Sequence, residues 1–135
     1  MDNITLALAE KIAAKAKQLV AESYGGKPFS VAVCDKDGFL VLYHKEDGAK
    51  LLTINLTPCK AYTAARMGTS TVAFLDRLQK NHLNIGYFQD EKFTALPGGE
   101  PLLNAQRQLM GAVGIGGLAQ DGEVAAKLAA LAWDV

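Results

Sequence analysis

The chain holds few side chains suited to making or breaking bonds. Its only imidazoles are His44 and His82, and its only thiols are Cys34 and Cys59. A Ser-His-Asp relay would have to use one of the two histidines, and neither lies near a G-x-S-x-G nucleophile turn. As a lone imidazole in a strand, His44 is a candidate donor to the iron of a planar cofactor. The more ordinary role of such a residue is a hydrogen-bonded strand histidine. The cysteines form no C-x-x-C pair and have no nearby second ligand for zinc. Cys59 and Met67 offer soft sulfur, though packing is the usual use of both. Asp35, Asp37 and Asp47 fall in turns whose spacing fits no EF-hand. Lys60 and Arg66 lie six residues apart on one helix, hence on different faces. Arg66 can pair with a ligand carboxylate. Gly114-Ile115-Gly116-Gly117 precedes the last helix and can present N–H groups to an anion. A dinucleotide loop would need a later strand ending in an acidic residue. A Walker loop would need G-K-[ST], so the simpler reading of the glycines is close packing.

These residues must be held by elements the patterning predicts. Ile4, Leu8, Ile12, Ala16 and Leu19 or Val20 recur at helical spacing, predicting a helix over residues 4–23 with Asn3 or Thr5 as its cap. Alternation from Phe29 to Cys34, the Asp35-Lys36-Asp37-Gly38 turn and Phe39 to Lys45 predict a hairpin. In it Leu40, Leu42 and His44 share one face, and Phe39, Val41 and Tyr43 the other. Both faces carry apolar residues, so the sheet should be covered on both sides. Thr57-Pro58 reads as a helix start, giving a helix over 58–67 ended by Gly68 and another over 71–81. Residues 82–100 read mainly as loop, with Phe93–Leu96 a candidate strand. Leu102-Leu103 and Gln108–Ile115 form a second hairpin. Asp121 caps a final helix with Val124, Leu128 and Leu131 on its core face.

Composition bounds the class. The chain has 135 residues, enough for one domain that needs no disulfide or metal staple. Lys+Arg 14 balances Asp+Glu 14, so the charge excess that drives binding to nucleic-acid backbones is missing. Weak self-repulsion favours association with further copies. No segment reaches the ~20 apolar residues that cross a bilayer. Met1-Asp2-Asn3 lacks the basic region of a signal peptide. The expected location is the cytoplasm, with no nucleic-acid or membrane partner.

Several segments together resemble the GlcG/HbpS-like family, which includes the C-terminal domain of PduO-type corrinoid proteins. The front half carries Asp35-Lys36-Asp37-Gly38-Phe39-Leu40-Val41, Asp47-Gly48-Ala49, Lys60-Ala61-Tyr62-Thr63-Ala64 and Thr69-Ser70-Thr71. The back half carries Pro97-Gly98-Gly99-Glu100-Pro101-Leu102, Gly111-Ala112-Val113-Gly114-Ile115-Gly116-Gly117 and Gln120-Asp121. The resemblance implies a single domain over 1–135 with a profilin-like three-layer α/β/α sandwich and a five-stranded antiparallel sheet. It also implies a homo-oligomer and, as in several members, heme binding.

Asp47, Gly48, Lys60, Thr63, Gly98, Gly99, Gly116, Gly117 and Asp121 match the family pattern and are expected to line a pocket or interface. Arg66 joins them as a candidate anion partner. Where the family commonly has Arg-Met before Asp-Gly-Ala, this chain has Lys45-Glu46. Where the family often has Gly-Val-Ser-Gly, it has Gly114-Ile115-Gly116-Gly117. Heme-binding relatives can use a histidine near the first helix. Residues 1–43 contain none, so an axial role passes to His44, His82, a Cys or a Met. The leading expectation is a binding protein, rather than an enzyme, for heme or a related tetrapyrrole or corrinoid, in a groove between the 47–63 segment and the glycine-rich strand. One alternative is an accessory protein or enzyme of glycolate or diol catabolism. There Lys60, Arg66 and the last helix's N-terminus would hold a small anion. The other is a ligand-free structural or regulatory subunit.

Overall fold

The computed structural model describes residues 3–133, so the acidic start at Met1 and Asp2 lies outside the described residues. Along the chain come α1 (Leu6–Ser23), β1 (Ser30–Asp35), β2 (Leu40–Lys45), α2 (Thr53–Met67), α3 (Thr71–Lys80), β3 (Gly99–Leu103), β4 (Leu109–Gly116) and α4 (Asp121–Ala129). A single 3-10 turn, Ile85–Phe88, precedes β3. The strands form an antiparallel sheet in the order β2-β1-β4-β3.

The two sheet faces bury different chemistry. Leu8, Ile12, Ala16 and Val20 of α1, with Val124 and Leu128 of α4, pack on Val31, Val33, Val113 and Ile115. Full burial of each large aliphatic here stabilises the fold by about 1.5–3 kcal/mol. On the other face the small side chains Ala61, Ala64 and Ala65 of α2 meet Ala32, Cys34 and Ala112. Small residues on both sides let α2 approach the sheet closely. The Thr5 hydroxyl accepts from Leu8 N at 3.1 Å and starts α1. Ser70 does the same for α3 through Ala73 N at 3.0 Å.

Several expectations are corrected. The sheet has four strands among the described residues, not five. The candidate strand Phe93–Leu96 is irregular chain: Thr94 N donates to Thr63 Oγ1 at 3.0 Å, and the Phe93 ring sits among Tyr62, Phe74 and Phe88. Its anchoring to α2 and α3 side chains takes it away from the sheet. Both sheet edges are also poor templates. β3 carries Pro101, which cannot donate to a further strand, and β2 carries a bulge. That bulge corrects a second expectation. Val33 pairs with Leu42 but Cys34 with Leu40, leaving Val41 as the extra residue. Leu42 therefore joins the α1 core, while Leu40 emerges on the α2 side of the sheet.

α2 begins at Thr53, one turn before Thr57-Pro58, because the Thr53 hydroxyl donates to Lys50 O at 2.6 Å and closes an earlier turn. Pro58 thus stands inside the helix. Gln120 occupies the cap position of α4, and Asp121 is its first helical residue. Leu131 lies past the end of α4 and is exposed.

Candidate functional site

Lys60 is the buried charge of the α2–β4 contact. Its side chain is 2% exposed and runs under the sheet's end, where Nζ donates to Ile115 O at 2.9 Å and pairs with Asp121 Oδ2 at 3.0 Å. The other Asp121 oxygen accepts from Leu118 N at 2.8 Å. One carboxylate thus neutralises the lysine and ties down the turn into α4, where the helix N-terminus also favours it. Gly98 (φ 130°) lies directly over this lysine, and a Cβ there would strike Ile115 O and the Lys60 side chain. A Cβ on Gly99 would meet the Lys60 carbonyl, on Gly114 the Thr57 carbonyl, and on Gly116 the Thr57 hydroxyl. That hydroxyl is itself hydrogen-bonded to Ser30 Oγ at 2.7 Å.

The 47–63 segment and the glycine-rich strand therefore do come together, but the expected groove between them is closed. Helix and strand backbones touch, and Thr53, Thr57, Lys60 and Thr63 fill the contact, all buried. Thr63 donates to Cys59 O at 2.7 Å as well as receiving Thr94 N, so its hydroxyl is fully engaged in holding chain to helix. What remains at the rim is a cleft of about 220 Å³ touched by Lys60, Gly117 and Asp121, with Lys50 and Pro97 opposite. Asp47 and Gly48 sit in an exposed turn outside it. Gly48 has φ 84° and its position beside Pro28 is a backbone requirement. Arg66 points elsewhere, so Lys60, Arg66 and the start of α4 do not converge on one anion.

Arg66 belongs to a different and larger cavity. A groove of about 510 Å³ opens on the α2 side of the sheet, within the range of small-molecule sites. Phe39, Leu40, Ile54 and Pro58 supply apolar wall, with Cys34 and Cys59 also lining it. Tyr62 stands at one end, its hydroxyl donating to Asp90 Oδ2 at 2.6 Å. The Arg66 guanidinium carbon lies 5.1 Å from the Tyr62 ring centroid, and Lys92 Nζ lies 5.4 Å from it. Neither cation has an ion-pair partner among the described residues. Asp37 also lines the groove, and the Asp90 carboxylate stands behind Tyr62. The bulge at Val41 is what turns Leu40 into this groove.

The two thiols and the phenol of the groove are held in their neutral forms. Burial, with Asp35 nearby, pushes the Cys34 thiol up to about 12. Burial raises Cys59 as well, with Lys92 opposing. The hydrogen bond to Asp90 raises the Tyr62 phenol. His44 is elsewhere: it is exposed on β2 and lines a separate groove of about 340 Å³ with Glu10, Lys17, Lys45 and Glu46. His82 is exposed, with φ 53° just past α3.

Motif reading missed this groove because its walls come from a hairpin turn, a helix and the 90–93 loop, none carrying a functional signature. The one available signal was the combination of exposed apolar residues Phe39 and Ile54 with two cations. No cluster of three or more His, Cys, Asp or Glu exists among the described residues. None of the described helices is long and apolar enough to cross a membrane.

Among the described residues, four antiparallel strands with helices on both faces define a mixed α/β fold. The chain belongs to the HbpS-like family, described as haem degrading protein HbpS-like, which matches residues 4–132. Among solved structures, a double mutant of Streptomyces reticuli HbpS is 26% identical, with a TM-score of 0.81 over 96% of this chain and 87% of that one. Klebsiella pneumoniae protein ORFY is 24% identical, with a TM-score of 0.85 over 96% of this chain and 90% of that one. PduOC in its heme complex is 22% identical, with a TM-score of 0.82 over 98% and 97%. No curated protein matches the chain.

Proposed function

We propose that the protein binds heme or a related tetrapyrrole in the groove beside Tyr62. The observation that carries this reading is the pairing of about 510 Å³ of largely apolar space with two unpaired cations at one lip. A tetrapyrrole is a flat apolar ring with carboxylates at one edge. Phe39, Leu40, Ile54 and Pro58 suit the ring by excluding water from it. Arg66 and Lys92 suit the carboxylates, Arg66 through a two-pronged contact. The macrocycle brings its own nitrogens to the iron, so only one axial donor is asked of the protein, and Cys59 offers sulfur on the groove wall. The apolar walls and the two cations therefore fit the ring and its carboxylates. When bound, the iron would supply ligand exchange and electron transfer, while the chain shields the ring and neutralises its carboxylates. Family membership and the heme complex of PduOC support the same ligand class.

Self-association belongs to this reading. Phe39, Leu40 and Ile54 are exposed apolar side chains lining the groove, and Leu51 and Leu52 are exposed just before α2; exposed apolar groupings mark interaction surfaces, and the chain's zero net charge opposes association little. The profilin-like arrangement of layers and the extent of a single domain over 1–135 remain part of the proposal.

Hemin titration of the purified protein tests the binding. A saturable Soret shift at micromolar hemin is expected. Replacing both Arg66 and Lys92 by Glu should weaken it about tenfold or more. A featureless titration would sink the proposal.

A further inference from the structure

We infer that the groove selects tetrapyrroles by paired carboxylates at one edge of the ring and takes them with or without iron. The inference rests on the groove being the tetrapyrrole site and names the class of ring that site accepts. Two observations carry it: how the charges at the lip are arranged, and how each metal-capable side chain on the wall is held.

Arg66 and Lys92 stand at one Tyr62 ring, the guanidinium carbon 5.1 Å and the ammonium nitrogen 5.4 Å from its centroid. Both side chains are exposed, and neither is ion-paired among the described residues. The nearby Asp90 is occupied elsewhere: one oxygen accepts from the Tyr62 hydroxyl at 2.6 Å and the other from Lys92 N at 3.0 Å. Two cations at one lip of a largely apolar groove match two carboxylates on an apolar ring, Arg66 through a two-pronged contact. A corrinoid with neutral amides in their place offers these charges no ionic partner.

The wall holds the iron poorly by comparison. Cys34, 1% exposed, is sealed within β1 against the α2 alanines. Cys59 brings its sulfur as a thiol, raised by burial and Asp90 against the opposing Lys92, whereas the thiolate is the form that binds metal. The Tyr62 hydroxyl is committed to Asp90. Lys92, as an ammonium, has no lone pair to share. Asp37 and Asn55 line the groove with carboxylate and amide oxygen, donors better matched to magnesium, calcium or manganese than to iron. Neither histidine lines it. What a ring gains here comes from its faces and its carboxylates, and neither depends on the metal.

The test titrates the full chain with hemin, metal-free protoporphyrin IX and the dimethyl ester of that porphyrin, read by Soret absorbance and porphyrin fluorescence. Protoporphyrin IX should bind no more than about fivefold more weakly than hemin, and the dimethyl ester at least about tenfold more weakly than the diacid. Arg66→Gln combined with Lys92→Gln, both at exposed positions, should keep the wild-type melting point and bring diacid and diester to equal affinity. Hemin held more than about fivefold tighter than the metal-free ring, or hemin affinity lost in Cys59→Ser, overturns the inference, because a protein donor then holds the iron. A diester bound within about tenfold of the diacid, or a diacid preference that survives the double substitution, overturns it as well. Each of these results leaves the groove as the tetrapyrrole site. Failure of wild-type protein to bind hemin and protoporphyrin IX alike overturns both.

Discussion

Lys60 illustrates what one buried charge does in this protein. It is 2% exposed and its partner Asp121 is 13% exposed. Removing either partner strands the other, at a cost of about 3–5 kcal/mol for a buried pair. The deeper member suffers more when left alone. Asp121→Asn should therefore lower the urea midpoint more than Lys60→Met, with the slope unchanged. Equal losses would mean that solvent reaches both groups alike. Glu100 makes a pH-dependent case. Half-burial on β3 raises its carboxyl above the ordinary value, so the fold prefers the protonated form. Its contribution is intact below the unfolded pKa and is lost as pH rises through the folded one. Glu100→Gln should leave the melting point nearly unchanged near pH 4, about the free carboxyl value, and raise it at pH 7. A gain of equal size at both pH values would contradict the burial argument.

At the scale of elements, α2 decides the architecture. Its sheet-facing side is Thr53, Thr57, Lys60, Ala61 and Ala64, and the strand opposite is thinned to glycine at positions 114 and 116. Gly114→Ala would push a Cβ into the Thr57 carbonyl. It should destabilise the fold by about 3 kcal/mol, the upper range for overpacking, measured by urea unfolding. Gly68→Ala is the control: its φ of 67° is strained for Ala but the space is open, so about 1–2 kcal/mol is expected. If the two cost the same, helix–strand contact is not what glycine serves at position 114. Pattern reading placed α1, the first hairpin, α3 and the second hairpin well, since alternation and cap residues report the backbone locally. It misplaced the start of α2 because Pro after Thr is a common first turn. The earlier turn depends on the Thr53 hydroxyl reaching Lys50, which no periodicity reveals.

At the scale of the whole molecule, exposed apolar side chains such as Phe39, Leu51 and Ile54 suit contact with further copies. Light scattering at micromolar concentration should give more than one chain's mass, and Leu51→Glu, at a 77% exposed position, should lower it. A one-chain mass for wild-type protein would remove self-association and leave the groove untouched. Of the candidate site residues, Lys60, Gly98, Gly99, Gly116 and Asp121 were legible as a group, and they do meet. Their meeting is a packed joint with only a small cleft at its rim, and the larger groove is lined by Arg66 alone of the expected site residues.

What the linear sequence settled by itself was local: helix stripes, strand alternation, the Asp35–Gly38 turn, and an ordered set of short segments sufficient to indicate the family. Each depends on neighbours within a few residues, where backbone preference and side-chain period act directly. Tertiary structure alone decided that Lys60 meets Asp121 across 61 positions, that a bulge at Val41 sends Leu40 and Leu42 to opposite sides, and that Lys92 reaches Tyr62. Those outcomes follow from register and close packing between distant segments. A shift of one residue there exchanges the buried face for the exposed one.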